Sequence, residues 1–457
     1  MRRYNPQTTH RRPQRVRIAS AAKKRDRLSR KKNNTLRWYH EWKFGTLLLL
    51  LWLVIFSAVV AAGILVVSSR NEGWTMTTLR GRRAKPPQRT FPPAPEGAPC
   101  LTEECIQAEA SKLARVFPVK ASDDWKQVED ESTPSILLAK VPKTGSSTAA
   151  GVALRIGKKY GNLLVQGVDH GIPSQIFATR SRDKTMLFGS IRSPESRAMS
   201  FLYYHLSRNE DYGHANATDY TIRYMMEKYD VAGEVIASEG RGGVQSAFLS
   251  LSDRAVGKRS IWSPSFPSTV KDPNLAHRQV EQILKDYDFI LLNERMDESL
   301  VTMSMLFGFE LGDILVTPAK RAGKDYLLVH ERNNACVELL KPPSISEVPK
   351  LNKFFRSDGW KAMQYTDYVL HAAMNKSLDL TIASLDQTSY EQRLSQYRQW
   401  KTHIERHCQD QIILPCSPTG RYQAQEASSN CYHNDFGCGY RCIDELLLAR
   451  EAGGSTT

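Results

Sequence analysis

The sequence predicts an α/β fold, a parallel sheet flanked by helices, joined to a single apolar N-terminal helix. Three observations lead there. Short apolar runs alternate with amphipathic segments between about residues 132 and 407, the pattern of strands linked by crossover helices. Two of those runs end in turns suited to anions, and ligands of parallel sheets bind at the carboxyl ends of the strands. One 24-residue stretch carries no charge at all.

That stretch is Phe44–Val67, long enough to cross a bilayer at ~1.5 Å per residue. It starts too late and runs too long for a cleaved signal peptide. Residues 1–43 hold 15 Lys/Arg against two acids, or +13 of the chain's net +15. The positive-inside rule puts this tail in the cytosol and the C-terminal bulk on the other side. With the excess confined to a short tail, nucleic acid is not expected as a partner. Residues 68–99 are polar, with six prolines between Pro86 and Pro99, and read as a semi-extended stem. The expected organisation is tail 1–43, span 44–67, stem 68–99, main domain 100–407 and a Cys-rich segment 408–457.

Strands are expected at Ile136–Val141, Asn162–Gln166, Met186–Ile191, Phe289–Asn293 and Ile314–Thr317. Helices are expected at Ser146–Tyr160, Pro194–Leu206, Tyr220–Tyr229, Asn274–Lys285, Asp297–Phe307 and Gln364–Asn375. The eight cysteines all follow the apolar stretch, five of them between Cys408 and Cys442. An even count there points to disulfides, with connectivity left open. A zinc site from Cys431, His433, Cys438 and Cys442 fits no standard finger spacing. Sequons stand at Asn216 and Asn375.

The first expected strand runs straight into Lys143-Thr-Gly-Ser-Ser-Thr148 and a helix. Such a turn aims backbone N–H groups and a helix dipole at one spot, with Lys143 adding a cation and Thr144, Ser146, Ser147 and Thr148 adding hydroxyls. It is not a nucleotide-triphosphate loop, which needs two glycines ahead of its lysine, whereas here the lysine precedes Gly145. The third strand ends in Arg192-Ser-Pro-Glu-Ser-Arg-Ala-Met-Ser200. Pro194 suits a first helical turn, and an arginine fork with the Ser200 hydroxyl can grip a second phosphate. Arg197 reads as an exposed helix-face charge.

These two motifs, in this order and about 50 residues apart, resemble the nucleotide-binding elements of sulfotransferases that use PAPS (3′-phosphoadenosine 5′-phosphosulfate). With Tyr287–Leu311, which contains Asp297-Glu-Ser-Leu300, the chain resembles the galactose 3-O-sulfotransferase family, which includes the galactosylceramide sulfotransferases. The resemblance implies a P-loop-like sulfotransferase fold. It implies that Lys143, Thr144, Gly145, Ser146, Ser147 and Thr148 hold the 5′-phosphosulfate, and that Arg192 and Ser200 hold the 3′-phosphate. It further implies a glycan or glycolipid acceptor, no metal, and a Golgi membrane location with a single-pass type II arrangement.

One departure stands out. The family usually has His before the Lys-Thr, whereas Pro142 stands here. Val141-Pro-Lys-Thr-Gly145 resembles the loop of uronyl 2-O-sulfotransferases. A silent glycan-binding protein is the other class, and the intact phosphosulfate loops argue against it. Asp297 reads as a helix cap with Ser299 in the first turn. A sugar hydroxyl needs a general base; His170 is the expected one, with His205, Glu195 and Glu294 as alternatives.

Overall fold

The computed structural model describes residues 99–120, 135–160, 165–167, 175–207, 244–251, 273–317, 321–330, 335–423 and 439–453. All belong to the unit Arg89–Thr457. Helix α1 (Glu103–Leu113) starts at Thr102, whose hydroxyl accepts the Cys105 N–H at 3.3 Å. Strand β1 (Ile136–Ala139) is buried throughout and leads into α2 (Ser146–Lys159). Strand β2 (Val165–Gln166) and the short α3 (Gln175–Thr179) precede β3 (Met186–Ile191), which leads into α4 (Pro194–Ser207). Next come α5 (Val244–Leu249), α6 (Pro273–Asp286), β4 (Phe289–Leu292) and α7 (Met296–Phe307). Gly308, at φ 65°, ends α7 with the left-handed residue that helix C-termini favour.

The four strands form one parallel sheet in the order β2-β1-β3-β4, with Ile136 opposite Met186 and Ile191 opposite Leu292. Every residue of β1, β3 and β4 is buried, and all are apolar except Ser190 and the glycine beside it on β3, as parallel strands covered on both faces require.

The expected fold class is corrected here. The described residues are mostly helical, and the parallel sheet is small: three strands of four to six residues plus the two-residue β2. The expected strand at Ile314–Thr317 is absent. Leu311–Ile314 is a 3₁₀ turn closed by a reciprocal cap between Glu310 and Asp313. Lys159 Nζ (2.5 Å) and Tyr160 Oη (2.9 Å) hold the same Asp313 carboxylate, anchoring the turn to α2.

Beyond the sheet lie an antiparallel hairpin, β5 (Tyr326–His330) with β6 (Ala335–Glu338), and the helices α8 (Pro349–Phe355), α9 (Asp358–Met363), α10 (Tyr365–Ser384), α11 (Gln387–Cys408) and α12 (Tyr440–Gly453). Helix α10 outruns its expected end at Asn375 because its buried face is partly polar. Ser377 and Thr381 donate back to Ala373 O and Ser377 O, both at 2.7 Å, while accepting the N–H groups of Arg115 and Phe117 at 3.0 Å. The segment that follows α1 is thereby held to α10 by hydrogen bonds.

Disulfides join Cys100 to Cys105, Cys336 to Cys416 and Cys408 to Cys442. Cys442, one of the four residues drawn into a zinc site, is therefore a disulfide partner; Cys431, His433 and Cys438 lie outside the described residues.

The membrane expectation is also corrected. No helix among the described residues is long and apolar enough to cross a membrane. The 22-residue α11 carries charges along its length, and α10 buries Asp367. The expected span at 44–67, its tail and its stem lie outside the described residues. A single-pass type II protein of the Golgi membrane is thus without structural support.

Candidate functional site at the carboxyl edge of the sheet

After β1 the chain turns sharply. Lys143 has φ 68°, Gly145 has φ 76°, and Gly145 is the residue from which α2 springs. Left-handed backbone at a non-glycine residue is disfavoured by about 1 kcal/mol or more. The buried Thr144 holds the loop down: its hydroxyl donates to Val141 O at 2.9 Å and meets Ser190 Oγ on β3 at 2.8 Å. The Thr144 hydroxyl is therefore engaged within the fold, and Ser146 is buried beside it.

Gly145 permits a close approach. A Cβ there would lie 2.5 Å from Asn293 Oδ1 and 2.8 Å from Met296 Cε. Glycine also leaves the helix start without a side-chain cap, and the first backward bond is Ala149 N–H to Gly145 O at 3.1 Å. The positive end of α2 thus opens where Lys143, Ser147 and Thr148 are half-buried.

The second motif meets the first. Lys143 Nζ lies 4.0 Å from the centroid of the Tyr204 ring on α4. One face of α4, carrying Ala198, Met199 and Tyr203, packs on Leu351, Phe354, Phe355 and Trp360. Arg197 and Ser200 fall with Tyr204 on the adjacent face, at spacings of three, four and seven. Ser200 is half-buried. Arg197 is not the exposed charge expected: it is only 4 % exposed, and its Nε has no hydrogen-bond partner.

Arg192 stands at the end of β3, its backbone gripped on both sides by Gln245. The Arg192 N–H donates to Gln245 Oε1 at 2.9 Å, and Gln245 Nε2 donates to Arg192 O at 2.8 Å. Gln245 is held in turn by the buried Asp367 of α10, whose carboxylate accepts the Gln245 and Ser246 N–H groups at 2.9 and 2.8 Å. The Arg192 Nε is buried without a hydrogen-bond partner, 3.8 Å from Glu294 Oε1. Burial moves this guanidinium below its usual range, against the pull of Glu294.

Glu294 closes the site from the end of β4. Its Oε1 accepts the Ser193 N–H at 2.9 Å, and its Oε2 lies 3.4 Å from His371 Nε2 on α10. Burial alone would raise this carboxyl; the His371 and Ser193 hydrogen bonds outweigh it and hold Glu294 below its ordinary value.

Other expected residues fall elsewhere. His170 lies outside the described residues, as does the side chain of His205. Glu195 accepts the Tyr368 hydroxyl at 2.5 Å, and Trp360 Nε1 donates to that hydroxyl at 3.0 Å; this group braces α4 against α9 and α10. Asp297 does not cap α7 but pairs with Lys401 at 2.7 Å, and Ser299 Oγ accepts the Leu292 N–H at 3.1 Å. Among the described residues no group of His, Cys, Asp or Glu could hold a metal ion. A cavity of about 560 Å3 opens along α11 beside Leu394, Arg398, Thr402 and His403, and none of the site residues lines it.

Sequence reasoning missed Asn293, Gln245, Asp367 and His371. Each acts through a partner distant in the chain; Asn293 lies within the Tyr287–Leu311 stretch, and the other three belong to no motif.

No known family, curated protein or solved structure matches this chain.

Proposed function

We propose that this protein transfers a sulfuryl group from PAPS to a sugar hydroxyl, with the 3-OH of a terminal galactose on a glycolipid or glycoprotein as acceptor. The observation that carries the reading is the meeting of two anion-gripping elements on adjacent strands. The Lys143–Thr148 turn follows β1, Arg192 follows β3, and Lys143 rests against Tyr204 of the helix that also bears Ser200.

Two features fit a phosphorylated, sulfated nucleotide. The buried Arg192 Nε has no hydrogen-bond partner and only a 3.8 Å approach to Glu294 Oε1, so a closer anion would satisfy it. The start of α2 is uncapped, and Gly145 lets it approach Asn293 closely. Bound there, PAPS would supply an activated sulfuryl group and a bisphosphonucleotide leaving group.

The residues then divide the work. With PAPS held there, the Lys143 ammonium, which rests on the Tyr204 ring, would neutralise charge developing on the leaving nucleotide. The first-turn amides of α2 orient oxygens of the transferred group and the 5′-phosphate. Arg192 takes the 3′-phosphate with Ser200, and the Gln245–Asp367 relay fixes its backbone. Thr144 contributes through the shape of the loop, since its hydroxyl is engaged with Val141 and Ser190. Pro142 favours a second acceptor, a uronic acid of a glycosaminoglycan.

The test uses the purified full-length chain with sulfur-35-labelled PAPS and a panel of galactosylceramide, lactosyl and N-acetyllactosamine glycans, and desulfated glycosaminoglycans. Label on a galactoside supports the reading, label on a glycosaminoglycan alone moves it to the uronyl branch, and no transfer with no binding of 3′,5′-bisphosphoadenosine refutes it.

A further inference from the structure

We infer that Arg197 is the second cation of the 3′-phosphate site, the residue by which that site tells a phosphate from a free hydroxyl. The inference rests on the sulfuryl-transfer reading. Arg197 is only 4 % exposed and its Nε has no hydrogen-bond partner. Among the described residues its guanidinium pairs with no carboxylate. The two acids at this end of α4 are engaged elsewhere. Glu195 accepts the Tyr368 hydroxyl at 2.5 Å, and Glu294 accepts the Ser193 N–H at 2.9 Å. A guanidinium cannot shed its proton to escape burial. A buried, uncompensated cation is among the least favourable states in a protein interior, and a bound anion would relieve it.

The fold directs this charge toward the second loop. Arg197 lies at the start of α4, where its own N–H donates to Ser193 O at 2.9 Å. Side chains on a helix lean toward its N-terminus, so Arg197 leans back toward the end of β3, where Arg192 stands. Ser200 follows three residues later on the same side of the helix, and Tyr204 four beyond that. Lys143 Nζ lies 4.0 Å from the Tyr204 ring centroid, which turns this side of α4 to the first loop. The opposite pull is absent, because the aromatic cluster of Phe354, Phe355 and Trp360 takes the neighbouring face through Ala198, Met199 and Tyr203.

The ligand's charge calls for this second cation. A phosphate monoester carries about −1.5 to −2 at neutral pH. Arg192 is already shared with Glu294, whose Oε1 lies 3.8 Å from its Nε, so one guanidinium leaves much of that charge unmet. With Arg197 added, two forks and the Ser200 hydroxyl surround the phosphate oxygens. A nucleotide with a free 3′-hydroxyl brings no such charge and leaves Arg197 as unpaired as it is in the empty site. Discrimination at the ribose 3′ position therefore depends on Arg197 more than on any residue of the first loop.

The experiment titrates 3′,5′-bisphosphoadenosine and adenosine 5′-phosphate into the full-length chain, Arg197→Met and Arg197→Lys, and records melting temperatures without nucleotide. Arg197→Met is expected to bind the bisphosphate ~30-fold more weakly, on the scale of lost charged hydrogen bonds, and adenosine 5′-phosphate within twofold of the parent. Arg197→Lys, which keeps the charge but not the fork, falls between. The empty Arg197→Met chain melts at or above the parent's temperature, because an unpaired buried charge has gone; a merely structural arginine would lower it. Should the Met chain fail to fold, Arg197→Lys carries the same comparison. If the preference for the 3′-phosphate survives in the variants, or if both ligands weaken alike, the inference fails while the sulfotransferase reading stands. If the parent chain binds neither nucleotide and transfers no sulfur-35 label from PAPS, both fall together.

Discussion

The carboxyl edge of the sheet and the α10 helix are built in opposite ways. Along α10 the buried polar groups are satisfied: Ser377 and Thr381 each donate and accept, and Asp367 takes two backbone N–H groups. At the sheet edge the accounts are left open. Lys143 sits in left-handed backbone, Gly145 leaves a helix start without a side-chain cap, and Arg192 and Arg197 bury Nε atoms without hydrogen-bond partners. Strain and unmet hydrogen bonding persist only where surrounding structure enforces them. The contrast teaches that α10 enforces what the edge endures, because Asp367 holds Gln245 and Gln245 holds Arg192.

The sharpest way to break this contrast is Asp367→Ala. It strands two buried N–H groups at about 1–3 kcal/mol each, so a loss of ~4 kcal/mol is expected by chemical denaturation. The milder Asp367→Asn should fold while raising the PAPS concentration needed for half-maximal transfer; an unchanged requirement would disconnect Arg192 from α10.

Lys143→Ala should lower kcat by ~100-fold, on the scale of a lost charge-stabilising donor, with the melting temperature nearly constant. Gly145→Ala should destabilise by ~2 kcal/mol, since the new Cβ would meet Asn293 and the left-handed backbone disfavours it. Lys143→Gly sharpens the comparison from the other side: transfer is lost, yet relief of the left-handed backbone raises stability by up to ~1 kcal/mol.

The smallest effect concerns acid. Glu294 titrates below its ordinary value in the fold, so the folded chain binds this proton less readily than the unfolded one. That contribution is fully present above the ordinary carboxylate range and is lost as pH falls through the folded value. Its half-exposed position keeps it modest. Glu294→Gln should flatten the stability profile over that acidic window in denaturant titrations.

The sequence told most where structure is local. Strands β1 and β4 are unbroken apolar runs, β3 is broken only by Gly189 and Ser190, and helices α2, α4 and α7 carry starts or stops legible from single residues such as Gly145, Pro194 and Gly308. It misled where the pairing is long-range. Ile314–Thr317 has strand composition, but the Asp313 carboxylate, tied to Lys159 and Tyr160, draws its beginning into a turn. Helix α11 has too few apolar residues to announce itself, with Tyr390, Leu394, Tyr397, Ile404 and Cys408 as its buried positions. Both loops of the site were legible because each is contiguous. His371 and Asp367 were not, because a lone histidine or aspartate on a helix shows no sign of what folding brings beside it.

One feature at the other end of the chain bears on the first loop. The Cys408–Cys442 bridge joins α11 to α12, and the α12 residue Tyr440 donates its buried hydroxyl to Gly151 O, while Asp444 pairs with Arg155 at 2.6 Å. Both acceptor and arginine lie on α2, the helix whose first turn opens toward the proposed nucleotide. Helix α12 therefore braces α2 from the side away from its first turn, and reduction of the Cys408–Cys442 bridge should loosen the helix on which the proposed nucleotide would rest.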